Sequence, residues 1–143
     1  MLYSNIYTVA VEPTAVTFDI EWMDTRRVIH VTDAKPFDRV ERTNQGYSVG
    51  RWENGALVVE TRRFADNGAG NAFEIPSGAQ KAVVERFEVN NGGRELHYEF
   101  VLEDPEYLAE PIVGEGTWDY RPDLSPLPNR CDPEIARRFL KQD

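Results

Sequence analysis

Residues Gly46 to Phe64 read GYSVGRWENGALVVETRRF, and this stretch decides the fold. Asn54-Gly55 lies between two runs of strand-forming residues. Asn and Gly tolerate positive φ at the two centres of a type I′ turn, so the stretch reads as a β-hairpin. A two-residue loop sets the register. Glu53 faces Ala56, Trp52 faces Leu57, Arg51 faces Val58, Gly50 faces Val59, Val49 faces Glu60, Ser48 faces Thr61 and Tyr47 faces Arg62. Alternation then separates two faces. One carries Ser48, Trp52, Leu57, Val59 and Thr61 and is a packing face. The other carries Tyr47, Val49, Arg51, Val58, Glu60 and Arg62 and mixes apolar contact with charge.

Working outward, the pattern is strand after strand. Ile6 to Val11 is short and turns at Pro13. Val16, Phe18, Ile20 and Trp22 alternate with polar residues, and Arg26 to Thr32 follows after a tight connection. Asp33–Gln45 and Ala65–Gly78 are long polar loops. Lys81–Val89 and Arg94–Glu103 form a second hairpin through Asn90-Asn91-Gly92-Gly93. Either loop length opposes Val89 to Arg94, Phe87 to Leu96, Glu85 to Tyr98 and Val83 to Phe100. Ile112 to Arg121 is the last strand. Asp132 caps a helix with Pro133 at its first position, running to about Leu140. Trp22, Phe18, Phe87, Phe100 and Trp118 are expected in the core.

A chain of 143 residues is read as one domain over 1–143, with enough chain to bury a core. The net charge of −9 argues against general nucleic-acid binding and against anionic lipid. Arg26-Arg27, Arg62-Arg63 and Arg137-Arg138 are isolated pairs rather than a basic stripe. No apolar run reaches the length of a membrane span, and no signal peptide is visible at MLYSNIYTVAVE. Cys131 is the single cysteine, which leaves the compartment open.

Four stretches carry a resemblance. GYSVGRWENGALVVET resembles the GHSIGRWEGDTLVVDT signature of a large uncharacterised bacterial family of small β-rich proteins. PSGAQKAVVERF (Pro76 to Phe87), LEDPEYLAEP (Leu102 to Pro111) and CDPEIARRFL (Cys131 to Leu140) are similar to further stretches of its members. Many of those members look exported and have an extra N-terminal segment with a cysteine and a Pro-Gly-Met-Pro-like run. Tyr47 stands where the signature usually has histidine, so no histidine mechanism transfers. The resemblance supports the fold unit and implies no reaction.

Together these readings predict an all-β, antiparallel up-and-down barrel, calycin- or lipocalin-like, with about eight strands and a C-terminal helix near 133–140. A flat sandwich is the alternative. Glu85 is the sharpest candidate for chemistry, a carboxylate on an apolar face. It is either a general acid or base, or a buried charge satisfied by Tyr98 or by Arg26, Arg51 or Arg62. Glu60 is a second candidate base. Tyr47, Arg51 and Arg62 could hold a polar or anionic ligand head, or form surface ion pairs. Trp22, Tyr98 and Trp118 would suit a flat apolar ligand, or simply pack. Ser48 matches a G-x-S-x-G spelling but sits inside a strand, not at an elbow. His30 and His97 lack ligand spacing, so neither a metal nor a cofactor is implied.

Three functions fit. The first is a binding or carrier module for a small apolar or aromatic molecule in a barrel cavity. The second is a cofactor-free isomerase, cyclase or lyase using a buried carboxylate. The third is a structural domain without a pocket. A homo-oligomer is compatible with each.

Overall fold

The computed structural model describes residues 6–66 and 76–126. Eight strands form one sheet in chain order: β1 (Tyr7–Val11), β2 (Ala15–Ile20), β3 (Thr25–His30), β4 (Tyr47–Glu53), β5 (Ala56–Arg62), β6 (Ala82–Asn90), β7 (Glu95–Glu103) and β8 (Ile112–Asp119). The sheet curls into a half-barrel. The expected helix at 133–140 lies outside the described residues.

The β4–β5 hairpin has the register expected from its sequence, from Tyr47 opposite Arg62 to Glu53 opposite Ala56. Asn54 (φ 50°) and Gly55 (φ 85°) make the turn, as a type I′ reversal requires. The β6–β7 hairpin is displaced by two residues from expectation. Its loop is Asn91 to Arg94, and Asn91, Gly92 and Gly93 all take positive φ. Asn90 therefore pairs with Glu95, Phe87 with Tyr98, and Glu85 with Phe100. A shift of two leaves every side chain on its expected face, because the period is two.

One pairing departs from an antiparallel meander. β3 and β4 run parallel, with Ile29 beside Ser48 and His30 beside Val49. Alternation does not encode strand direction. The connection 31–46 exceeds the dozen or so residues that a parallel crossover needs. The expected full closure is also absent among the described residues. No ladder joins β1 to β8. Instead the Tyr7 and Trp118 rings stack across the gap, with centroids 4.5 Å apart and planes within 8°.

The core lies on the concave face. Val16, Phe18, Ile29, Leu57, Val59 and Phe87 form it, with Tyr7, Ile20, Leu96, Tyr98 and Trp118 packed around them. Of the five aromatics expected inside, Phe18 and Phe87 are buried. Phe100 and Trp118 are half-buried because they line the open side. Trp22 is 55% exposed. β2 stops at Ile20, and Trp22–Asp24 form a 3₁₀ turn that takes Trp22 out of the strand alternation. Trp52 is inward by parity but lies at the hairpin tip and is exposed. Val58, assigned to the mixed face, is buried, as all of Ala56 to Val59 are.

Gly50 marks the closest packing of the crossover. A Cβ there would lie 2.7 Å from Ile29 Cγ2 and 3.1 Å from Leu57 Cδ1. Gly50→Val is therefore expected to destabilise the fold by about 1–3 kcal/mol through overpacking. A chemical-denaturation midpoint equal to wild type would contradict the β3–β4 packing described here.

Candidate functional site

The concave face carries a polar band with one residue from each of five consecutive strands: Arg27 (β3), Ser48 (β4), Thr61 (β5), Glu85 (β6) and Tyr98 (β7). Arg27 Nη1 donates to Glu85 Oε1 at 2.9 Å, and Nη2 donates to Glu85 Oε2. Nη2 also donates to Thr61 Oγ1 at 2.9 Å, and Nε to Ser48 Oγ at 3.2 Å. The Ser48 and Thr61 hydroxyls share a 2.9 Å hydrogen bond. Tyr98 Oη donates to Glu85 Oε1 at 3.0 Å. Glu85 is only 6% exposed, and no buried side-chain polar atom lacks a partner among the described residues. Burial, then the adjacent Glu85 carboxylate, pushes the Tyr98 hydroxyl well above the usual phenol range. Tyr98 Oη is thus held as a hydrogen-bond donor to Glu85.

Glu85 is inward and within reach of Tyr98, as the sequence suggests. The contact is diagonal, because Phe100 is the residue opposite. Its arginine is Arg27, not Arg26, Arg51 or Arg62. Arg26 faces out toward Asp19, with 3.5 Å from Nε to Oδ1. Ile29 is core, and parity places Arg27 on the same face. That signal is present in the sequence once the inner face of β3 is known. With a bidentate guanidinium and a phenol already on its oxygens, Glu85 is placed as a structural counter-ion.

On the other face Tyr47 and Arg62 are register partners, and the Arg62 guanidinium lies 5.9 Å from the centroid of the Phe37 ring. Arg51 pairs with Glu53 and Arg62 with Glu60, each within its own strand, with Glu60 half-buried and the other three exposed. Tyr47 joins other residues. It stacks on His30 at 4.7 Å, meets the Phe37 ring edge-on at 6.1 Å and accepts the Lys35 backbone N–H at 3.0 Å. His30, Asp33, Lys35, Arg39, Val40, Glu41 and Tyr47 line an open depression of about 380 Å³ on this face.

Aromatic rings continue the band toward β8. Tyr98 stacks on Trp118 at 5.4 Å and on Phe100 at 5.7 Å, and Trp118 stacks on Tyr7. No protein-family model, curated protein or solved structure matches this chain. β1 and β8 run in the same direction, so from the Tyr7–Trp118 stack Val9 and Val11 extend past the end of β8, while Ile112 lies at the start of β8 on the other side of the stack. Val9 pairs with Phe18, Val11 with Val16 and Ile112 with Leu102, so all three point inward. They are nonetheless 42%, 64% and 39% exposed. Gly114 and Gly116 line the same side of β8. The Phe100 ring lies where a Gly114 side chain would be, and nothing lies within 4 Å of a Cβ built on Gly116.

For metals, His97, Glu99 and Glu115 bring ligand atoms within 4.8 Å of one another on the outer face of β7 and β8. The cluster depends on the pairing of Glu99 with Glu115, which spacing alone does not reveal. Glu99 also faces Arg86 Nε at 3.9 Å, and both glutamates are exposed.

Proposed function

We propose that the protein is a small-molecule binding module, and that an apolar or aromatic ligand enters the concave face between β1 and β8. The observation that carries this reading is the pair of inward-facing apolar side chains left in water on β1, Val9 and Val11. Exposed apolar surface costs roughly 25 cal/mol per Å², so covering it favours an apolar occupant. The Tyr7, Tyr98 and Trp118 rings offer flat contact at one end of this slot. Nothing observed favours catalysis by Glu85 or Glu60.

Titration with the aromatic sulfonate dye 1-anilinonaphthalene-8-sulfonate tests this reading. Wild type is expected to show saturable fluorescence enhancement. Val11→Glu should weaken binding about tenfold or more, because it places a charge in the slot. That factor corresponds to about 1.4 kcal/mol. Val113→Glu is the control, since Val113 is 71% exposed on the outer face of β8. Equal loss in both variants, or no saturable binding, would leave the reading without a pocket.

A further inference from the structure

Two of the sequence stretches that carry the family resemblance meet outside the slot. Ser77 to Lys81 precedes β6, and Asp104 to Leu108 follows β7. Asp104 is 3% exposed, and its Oδ2 accepts the Gly78 N–H at 2.8 Å. Its Oδ1 accepts the Glu106 N–H at 3.3 Å, and Glu106 Oε2 accepts the Gln80 N–H at 2.8 Å. Arg42 holds the same turn by donating to the carbonyls of Phe64 and Ala79. The segment is therefore clipped at three points, Gly78, Ala79 and Gln80, by groups from two other parts of the chain. Such fixation is what a preorganised site needs.

Within this clip, Lys81 Nζ donates to Ser77 Oγ and lies 4.1 Å from the centroid of the buried Phe64 ring. Burial lowers the Lys81 pKa from the ordinary lysine value, and the nearby Asp104 carboxylate partly opposes the shift. A serine within hydrogen-bond reach of an amine whose pKa is lowered by burial has the parts of a nucleophile and its base. The alternative is a lysine that only braces the turn, and the two differ in reactivity.

We infer that Ser77 and Lys81 form a serine–lysine dyad that transfers acyl groups from activated carboxylic esters. Neutral Lys81 takes the Ser77 hydroxyl proton as Oγ bonds to the ester carbonyl carbon. The ester C–O bond then breaks, and the Lys81 ammonium returns the proton to the leaving alcohol. Water, deprotonated by the same amine, cleaves the acyl-serine to the carboxylic acid. Asp104 and Glu106 are engaged by backbone N–H groups. This inference is independent of the slot between β1 and β8.

A fluorophosphonate probe tests it, because Oγ–P bond formation with loss of fluoride needs the same activated serine. Intact protein should give a Ser77 adduct by peptide mapping. Labelling should disappear in Ser77→Ala. It should fall about 10²-fold or more in Lys81→Met, which keeps the apolar stem and loses the base. The wild-type rate should rise with pH, with a midpoint below the ordinary lysine value. If Lys81→Met fails to fold, this wild-type pH profile decides alone. No enrichment of adduct at Ser77, labelling of a folded Lys81→Met at the wild-type rate, or a rate independent of pH would each overturn the dyad.

Discussion

Arg27→Met should lower stability by about 3–5 kcal/mol, the usual cost of leaving one member of a buried ion pair uncompensated. Arg27 supplies both guanidinium bonds to Glu85 and also reaches Ser48 and Thr61. Its loss orphans a carboxylate and loosens three strands at once. Urea unfolding monitored by tryptophan fluorescence gives the measurement. Arg27→Lys should recover only part of the loss, because an ammonium cannot reproduce the planar fork. The double variant Arg27→Met with Glu85→Leu should recover most of it, since neither charge is then buried. A midpoint for Arg27→Met within error of wild type would mean that the band contributes little and that Glu85 is solvated.

Phe87→Ala should cost about 3–5 kcal/mol, the range for truncating a buried aromatic. Phe87 is 5% exposed. Its ring centroid lies 5.0 Å from that of Tyr98, 5.2 Å from Phe18 and 6.1 Å from Trp118. The cavity would open beneath the aromatic wall, so dye binding in the slot should weaken as well. Trp52→Ala is the comparison. Trp52 shares the inward parity but is exposed at the hairpin tip, and surface changes usually stay within about 0.5 kcal/mol. Equal losses for Phe87→Ala and Trp52→Ala would contradict the core described here.

The convergence of PSGAQK with LEDPEYL gives these stretches a physical role that needs no family to explain it. A buried Asp104 receiving a backbone N–H ties the start of β6 to the end of β7. The same clip fixes the spacing of Ser77 and Lys81.

The sequence by itself determined everything that depends on local chemistry and on a period of two. Asn54-Gly55 allowed only a tight reversal, so the whole β4–β5 register followed from two residues. Alternation placed Glu85, Phe87, Tyr98 and Phe100 on one face, and an error of two in the hairpin register left that assignment intact. Tertiary structure alone decided strand direction, closure and partner choice. Periodicity is the same for a strand running either way, so the parallel β3–β4 pair was not legible. Closure depends on accumulated twist and curl over eight strands, which no local pattern records. Arg26 and Arg27 are chemically alike, and only the packing of Ile29 against β4 settles which one turns inward to meet Glu85.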